Sequence, residues 1–251
     1  MELLYKRTAT IQEDKVSGFC PGCMHSTVIK LIGEVLEELD VVDRTACVLG
    51  IGCCGLHMDY MAYDNITAPH GRACAVATGI KRTNPDTLVY TYQGDGDFAS
   101  IGLAESVSAA NRGENISVIF INNGIYGMTG GQMAPTTLIG QKSTTSPDGR
   151  KKDINGMPVK MSEMLATIDG AAYVERVALD SPAHVRQAKK AIRKAFEIQQ
   201  KGLGFTLIEF LSTCPTNWGM TPVKALEWVR NNVMAYYPIG VIKEPAKEEQ
   251  A

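Results

Sequence analysis

The sequence lacks several features that would assign it to a specialised class of proteins. Its 251 residues carry 25 Lys and Arg against 27 Asp and Glu, without a block of either sign. Nucleic acids and anionic membranes bind basic patches, so neither is an expected partner. The most apolar stretch, Ala46 to Leu56, is interrupted by glycines and is too short to span a bilayer. Residues 1–15 carry charges of both signs and no apolar core of a signal peptide, which favours a cytoplasmic location.

Internal repeats, low-complexity segments and obvious linkers are also missing, so a single domain over residues 1–251 is expected. Short apolar runs alternate with segments of helical periodicity, which predicts an α/β fold with a mostly parallel sheet and helices on both faces. Residues 124–156, rich in Gly, Ser, Thr and Pro, are predicted to form a long functional loop. Strands are predicted at residues 45–51, 88–92, 116–121, 173–177 and 205–211. Helices are predicted at residues 24–39, 70–81, 98–112, 182–200 (after a Ser181 cap) and 222–233.

Cysteine, in contrast, is abundant, with seven residues in a chain that is expected to stay in a reducing compartment. In such proteins cysteines more often bind metals or act in catalysis than form disulfides. Two of them flank Pro21 and Gly22 in the stretch GFCPGCMHS at residues 18–26. Taken alone, the pair Cys20 and Cys23 fits a redox dithiol, half of a zinc site or part of an iron–sulfur cluster.

The other cysteines narrow these alternatives. A zinc site commonly has a second close pair of ligands, whereas here Cys53 and Cys54 are adjacent and the rest are isolated. A [4Fe–4S] cluster accepts four thiolates from widely separated positions. Its candidate ligands are Cys20, Cys23, one of Cys53 or Cys54, and Cys214. Cys47 lies in a predicted strand and Cys74 in a predicted helix of small residues, so both are interpreted as core thiols.

The stretch YQGDGDFAS at residues 92–100 follows a predicted strand and opens a predicted helix. Glycines at such a turn allow a phosphate to approach the backbone, and a helix start favours anions. Asp95 would repel a bare phosphate, so a cation is needed between them, and Mg²⁺ is the usual one. Asn123, in INNGIYGMTGGQ, follows the next predicted strand. Both side chains are therefore expected at the carboxyl ends of adjacent parallel strands, where open α/β sheets bind ligands.

Each stretch alone is more typical of a tight turn, but the two together at this spacing resemble the thiamin-diphosphate motif. The resemblance implies that Mg²⁺ is bound by the Asp95 carboxylate, the Asn123 amide oxygen and the main-chain carbonyl of Ile125, together with the diphosphate and water. His70, which starts the HGR segment, either lines this site or caps its own helix.

The ordered stretches CPGC, GIGCCG, HGRACAVATGIK, GDGD, NNGIYGMTGGQ and CPTNWG resemble the thiamin-binding β subunit of 2-oxoacid:ferredoxin oxidoreductases over nearly the whole chain. The resemblance implies a thiamin-diphosphate-binding fold that holds thiamin diphosphate, Mg²⁺ and one [4Fe–4S] cluster. The implied cluster ligands, from the N-terminal segment, the turn after the first strand and the C-terminal part, are Cys20, Cys23, Cys53 and Cys214. The cofactor-binding residues expected from the motifs and the resemblance are Ile51, Gly52, Cys53, Cys54, His70, Gly94, Asp95, Gly96, Asn123 and Gly127.

Members of this family carry out CoA-dependent oxidative decarboxylation of a 2-oxoacid to an acyl-CoA and CO₂, and they reduce ferredoxin. The family takes its activating glutamate from a partner subunit, and here Glu105, Glu114 and Glu209 lie in no recognisable motif. The resemblance therefore implies an α subunit, γ and δ subunits as further partners, and no activity of the isolated chain. Within this chain, His70 and His57 are the candidates for a catalytic contact, the latter because it follows the Cys53 turn.

The expected substrate is a branched-chain 2-oxoacid such as 2-oxoisovalerate, with 2-oxoglutarate and pyruvate as alternatives. CPTNWG resembles short β subunits that act on branched-chain acids or on 2-oxoglutarate, and Gly55-Leu56-His57 stands where relatives often have a basic residue or Ser. Two other functions stay open. One is a non-redox thiamin-dependent decarboxylase, which has no need for four spread cysteines; the other is an electron-transfer subunit with a vestigial thiamin site.

Overall fold

The structure is a computed structural model that describes residues 7–245. Its strands are β1 (Thr45–Leu49), β2 (Asp64–Thr67), β3 (Leu88–Gly94), β4 (Ser117–Asn122), β5 (Ile125–Tyr126), β6 (Gln132–Met133), β7 (Ala171–Ala178), β8 (Phe205–Leu211) and β9 (Gly240–Lys243). Seven of them form one sheet in the order β2-β1-β3-β4-β8-β7-β9, and β5 and β6 form a small antiparallel hairpin. Every neighbouring pair in the sheet is parallel except β7 and β9.

The helices are α1 (His25–Glu38), α2 (Ala73–Thr83), α3 (Leu103–Asn111), α4 (Lys152–Asn155), α5 (Met161–Ala166), α6 (Pro182–Gln200), α7 (Pro215–Trp218), α8 (Pro222–Trp228) and α9 (Met234–Tyr236). Other helical turns are Val42–Arg44 and Cys53–Asp59, which are 3₁₀, and Asp97–Ile101 and Val229–Val233, which are π-helical. In the part of the chain that the structure describes, no helix is both long and apolar enough to cross a membrane.

Helices cover both faces of the sheet, as the alternating pattern predicted. On β4, Ile119 and Ile121 pack with α1 and α6, whereas Val118 and Phe120 pack with α2, α3 and α5. Because both faces of this central strand are buried, its four residues between Ser117 and Asn122 are all apolar instead of alternating with polar ones. The predicted α/β class with a mostly parallel sheet is confirmed.

The ends of the predicted elements shift where the chain makes special turns. Helix α6 has its predicted bounds, and the Ser181 hydroxyl accepts from the His184 N–H at 3.2 Å, as expected of the cap. Helix α3 begins later than predicted, because a π-helical turn precedes it and Gly102 lies against the main chain of Gly71. The sequence patterns do not predict the edge strands β2 and β9, since each has only four residues and neither is fully buried.

The predicted loop 124–156 contains the β5–β6 hairpin and α4, and Arg150 fixes its shape. The guanidinium of Arg150 is buried and donates hydrogen bonds to six main-chain carbonyls. These carbonyls belong to Ala134, Pro135, Thr137, Asn155, Gly156 and Met157. One buried cation thus pairs main-chain carbonyls that have no strand or helix partner, and it holds residues 134–137 together with residues 155–157.

Candidate functional site

A cleft with a volume of about 100 Å³ opens at the carboxyl ends of β1, β3 and β4. All ten residues that the sequence predicts to bind cofactor line this one cleft. The lining also includes His25, Asp97, Ile125, Tyr126, Met128 and Thr129. The structure therefore brings the predicted positions together, and their binding of a cofactor stays a prediction.

Asp95 lies at the floor of the cleft and is 2% exposed. Its carboxylate accepts from the Gly96 N–H at 2.9 Å and from the Thr136 hydroxyl at 2.7 Å. Burial nevertheless raises the pKa of Asp95 to about 6, because removal from water penalises the charged form more than these hydrogen bonds stabilise it. Among residues 7–245, no Lys, Arg or His side chain is paired with this carboxylate. A cation bound here would remove that penalty.

Asn123 and Ile125 follow β4 and lie beside Asp95 in the same cleft. The Asn123 amide oxygen accepts from the Ile125 N–H at 3.2 Å, which shapes a tight turn through Gly124, whose φ is +67°. A carboxylate, an amide oxygen and a main-chain carbonyl are the hard oxygen donors that Mg²⁺ prefers, so this donor set fits the ion. We call Asp95, Asn123 and the Ile125 carbonyl the oxygen site.

Asp97 is a buried carboxylate whose role the sequence motifs did not reveal. It accepts from the His70 ring at 2.6 Å, from the Gly71 N–H at 2.8 Å and from the Ile51 N–H at 3.1 Å. Its second oxygen accepts from the Gln93 side-chain amide at 2.6 Å. Asp97 therefore connects the turn after β1, the end of β3 and the segment before α2 by hydrogen bonds. It also settles the alternatives for His70, which is bound to this carboxylate at the cleft wall instead of capping its own helix.

His57 contradicts the expectation that it faces a substrate. Its side chain is 0% exposed and does not line the cleft. The ring hydrogen-bonds the Tyr90 hydroxyl at 2.9 Å and the Tyr63 hydroxyl at 3.2 Å. Burial lowers the pKa of His57 to about 3, so the ring is neutral at physiological pH. His57 is a structural residue because the turn at Cys53–Asp59 points it inward.

His25 reaches the cleft instead, although its place beside Cys23 gave no sign of this. The ring is 2% exposed, contacts the Tyr92 hydroxyl at 2.6 Å and stacks on Phe19 with ring centres 4.9 Å apart. Burial lowers the pKa of His25 to about 4, which keeps the ring neutral. His25 thus presents an uncharged wall to whatever occupies the cleft.

None of the three glutamates considered from the sequence, Glu105, Glu114 and Glu209, lines the cleft. Glu105 pairs with Arg72 at 2.5 Å, and Glu114 pairs with two arginines. Glu209 is buried, accepts from Arg176 at 2.8 Å and also accepts from Asn122. No glutamate occurs among the described residues that line the cleft. That an activating glutamate comes from a partner subunit stays a prediction.

The CPGC turn lies against the segment that carries Cys214. The Cys23 N–H donates to the Cys20 carbonyl at 3.0 Å, which closes the turn. Thr213, which precedes Cys214 in sequence, donates from its hydroxyl to the Gly22 carbonyl at 2.6 Å. Gly22 has a φ of +78°, and a β-carbon there would meet the ring of the first residue of α8 at 2.5 Å. Only glycine fits this turn, and the turn places Cys20 and Cys23 beside Cys214.

Gly127 lies between the other two predicted ligands. A β-carbon at Gly127 would be 3.3 Å from the Cys53 sulfur and 3.6 Å from the Cys214 sulfur. The thiols of Cys20, Cys53 and Cys214 raise the pKa of Cys23, those of Cys20 and Cys214 raise the pKa of Cys53, and that of Cys20 raises the pKa of Cys214. We call these four side chains the thiol site. Cys54 is buried on the other side of its turn, near Asp97.

Cluster binding by the four thiols stays a prediction, and their chemistry can be compared with what such a group needs. Burial raises the pKa of Cys23 to about 12 and that of Cys53 to about 11, and each thiolate is further disfavoured by the others. In the described part of the chain, no group of three or more His, Cys, Asp or Glu side chains is close enough to hold one metal ion. A [4Fe–4S] cube offers a separate iron to each thiolate, so its ligands need not meet at one point. Cys47 and Cys74 lie in the hydrophobic core, as predicted.

Comparisons with known proteins agree with this geometry. The family described as thiamine pyrophosphate enzyme, C-terminal TPP binding domain, matches residues 50–210. Ketoisovalerate oxidoreductase subunit VorA of Methanothermobacter thermautotrophicus is 42% identical over 92% of this chain and 49% of its own length. The 2-oxoglutarate synthase subunit KorB of Archaeoglobus fulgidus is 36% identical over 92% of this chain and 86% of its own length. The chain thus spans about half the length of VorA and most of KorB.

A solved structure shares the fold. The 2-oxoglutarate:ferredoxin oxidoreductase from Magnetococcus marinus superposes with a TM-score of 0.78 over 98% of this chain and 87% of that chain, at 24% identity. The seven-stranded sheet and its helices are therefore the thiamin-binding fold that the sequence resemblance implied.

Proposed function

Because the chain belongs to the family of thiamine pyrophosphate enzymes that includes the subunits of 2-oxoacid:ferredoxin oxidoreductases, we propose that it is the thiamin-binding β subunit of such an enzyme. The complex would convert a 2-oxoacid and CoA to an acyl-CoA and CO₂ and pass the electrons to ferredoxin. One observation carries this proposal: four cysteines from three distant segments lie near one another, and one of them, Cys53, lines the cleft that holds a buried carboxylate with no cationic side chain paired to it among the described residues. A non-redox thiamin enzyme needs only the buried carboxylate and has no use for the four cysteines.

The oxygen site would hold Mg²⁺ and, through it, the diphosphate of thiamin diphosphate. The glycine turn at Gly52, whose φ is +126° and which has nothing within 4 Å of an added β-carbon, leaves room for a cofactor to approach the backbone. When bound, thiamin diphosphate supplies an electron sink for cleavage of the bond to the carboxyl carbon. His70, fixed by Asp97 at the cleft wall, would orient the cofactor or the substrate.

The thiol site would hold one [4Fe–4S] cluster through Cys20, Cys23, Cys53 and Cys214. Cys53 belongs both to this group and to the lining of the cleft, and Gly127 contacts both regions. The proposed cluster therefore lies directly beside the proposed cofactor position. A short path between them favours transfer of single electrons without a further carrier within this chain.

For the substrate we propose 2-oxoisovalerate or another branched-chain 2-oxoacid. No Lys or Arg occurs among the described residues that line the cleft, so this chain offers no counter-ion for the second carboxylate of 2-oxoglutarate. The rim instead presents exposed apolar side chains, Ile51 at 40% and Met128 at 52%.

Partners follow from the same features. The relatives are subunits of oxidoreductases, and the lining of the cleft supplies no glutamate from the described residues. We therefore propose that residues 1–251 act as one thiamin-binding domain, inactive alone, with an α subunit and with γ and δ subunits, and that ferredoxin is the acceptor. A cytoplasmic location belongs to this proposal because all seven cysteines are free thiols.

The test is anaerobic production of the chain alone and together with its α, γ and δ partners. We expect the complex to reduce ferredoxin in a reaction that needs CoA and a 2-oxoacid, most efficiently with 2-oxoisovalerate in a panel with 2-oxoglutarate and pyruvate. We expect about four irons and matching sulfide to belong to this chain.

Three results would contradict parts of the proposal. Turnover by the isolated chain would remove the need for a partner glutamate. Decarboxylation without iron and sulfide would indicate a non-redox enzyme. Failure to bind thiamin diphosphate with Mg²⁺ present, measured by calorimetry, would indicate an electron-transfer subunit with a vestigial site.

A further inference from the structure

Asn217, in the short helix α7, joins the thiol site to the cofactor cleft. Its side-chain amide nitrogen donates to the Gly127 carbonyl at 3.0 Å and contacts the Cys214 sulfur at 3.3 Å. An amide group carries two hydrogens, so one nitrogen serves both acceptors at once. The two neighbours are both acceptors, which fixes the orientation of the amide: its oxygen would repel either of them.

Asn217 has two donors that stabilise a negative charge on Cys214. Besides the side-chain amide, its main-chain N–H opposes the rise that burial causes in the pKa of the Cys214 thiol. On its opposite side, the Asn217 side chain lies against Gly131, where an added β-carbon would be 3.1 Å from the amide oxygen. Within residues 7–245, no other side-chain N–H donates to a sulfur of the thiol site. Asn217 is therefore both firmly placed and distinct among the neighbours of the four thiols.

We propose that Asn217 sets the reduction potential of the cluster through its side-chain hydrogen bond to Cys214, an inference that rests on the proposed function. Reduction adds negative charge that spreads onto the ligand sulfurs, and an N–H donor stabilises that charge. Hydrogen bonds to sulfur are among the groups that determine cluster potentials. Because Asn217 acts through Cys214, it is a positioning residue. Its hydrogen bond to Gly127 fixes the same amide relative to the cofactor cleft.

The test compares Asn217→Leu and Asn217→Asp with Thr216→Val in the anaerobically purified complex. Leu keeps the bulk and removes both side-chain donors, Asp keeps the shape and replaces the donors with a negative charge, and Thr216 is the exposed neighbour in the same turn. Iron and sulfide analysis reports cluster content, and a redox titration followed by electron paramagnetic resonance reports the midpoint potential.

We expect full cluster content in all three variants. Asn217→Leu should lower the reduced-to-oxidised ratio at a fixed potential by roughly ten-fold, about 59 mV for one electron. Asn217→Asp should lower it further, and Thr216→Val should match the wild type. Unchanged potentials in Asn217 variants with intact clusters would overturn this inference alone. Loss of the cluster from both variants would also overturn it, because Asn217 would then retain the iron rather than tune it. Wild-type complex without iron would overturn the proposed function itself.

Discussion

The oxygen site and the thiol site are neighbours, connected by Cys53 in the lining of the cleft, but they are held in different ways. The oxygen site sits on the ends of β3 and β4, whose register pairs Gly94 with Ile121. Asp95 and Asn123 directly follow this paired region, so the sheet itself places them. The thiol site comes from loops around three distant parts of the chain, and one of its members, Cys20, is exposed.

This difference indicates which site exists before its ligand arrives. The buried carboxylate is held by fixed donors, so the oxygen site is preorganised for the proposed Mg²⁺. The thiolates repel one another, and few contacts, such as Thr213 to Gly22 and Asn217 to Gly127, hold their loops together. We therefore expect the thiol site to depend on its cluster for order, while the oxygen site does not depend on Mg²⁺.

The largest expected effect concerns the two adjacent cysteines. Cys53→Ala should abolish the cluster, because its sulfur lies with the other three beside Gly127, whereas Cys54→Ala should keep it, because Cys54 points to the other side of the turn. Iron and sulfide analysis of anaerobically purified variants checks this. Loss of the cluster in Cys54→Ala but not in Cys53→Ala would make Cys54 the ligand. If both variants kept the cluster, neither of the two cysteines would be a ligand.

Asp95→Asn should nearly abolish Mg²⁺-dependent binding of thiamin diphosphate while leaving the cluster in place. The substitution removes the only carboxylate of the oxygen site, for which we expect roughly a hundred-fold or greater loss of affinity by calorimetry. Asp153→Asn, an exposed residue of α4, is the matched control and should bind normally. A loss of iron in Asp95→Asn would show that the two sites are not independent.

The sequence predicted the oxygen site better than the walls around it, for a physical reason. Asp95 and Asn123 follow strands whose apolar runs identify them, and parallel strands bring their ends together. Asp97 was missed because two of its partners, His70 and Ile51, are distant in the chain and only the folded structure brings them together. Local pattern alone does not contain such contacts.

The thiol site shows the same limit. Spacing identified four candidate cysteines, but it did not distinguish Cys53 from Cys54, because adjacent residues in a 3₁₀ turn point in different directions. His57 was misjudged for that reason as well. The long strand β8 and helix α6 were predicted with their observed bounds, since strong periodicity and a clear cap define them.

Acidification should weaken the oxygen site before it affects the rest of the cleft. Burial raises the pKa of Asp95 to about 6, so below this pH the carboxyl must lose a proton before it binds Mg²⁺. Affinity for thiamin diphosphate at limiting Mg²⁺ should then fall about ten-fold for each pH unit below 6 and level off above it. His25 and His57 stay neutral in this range, since burial holds the pKa of each near or below 4. If the affinity for thiamin diphosphate did not change between pH 5 and 7, Asp95 would not be the Mg²⁺ ligand whose protonation limits binding.

The smallest expected effects come from removing one hydroxyl in each site. Thr136→Val deletes the donor to Asp95 and should weaken thiamin diphosphate binding about ten-fold without changing iron release. Thr213→Val deletes the donor to Gly22 and should speed iron loss to a chelator about five-fold, the equivalent of one hydrogen bond, without changing cofactor affinity. Both residues are buried and both substitutions keep the volume of the side chain, so each variant is the control for the other. Equal effects of either variant on both measurements would show that the cleft responds as one unit, and the distinction between a site built on strands and a site built on loops would fail.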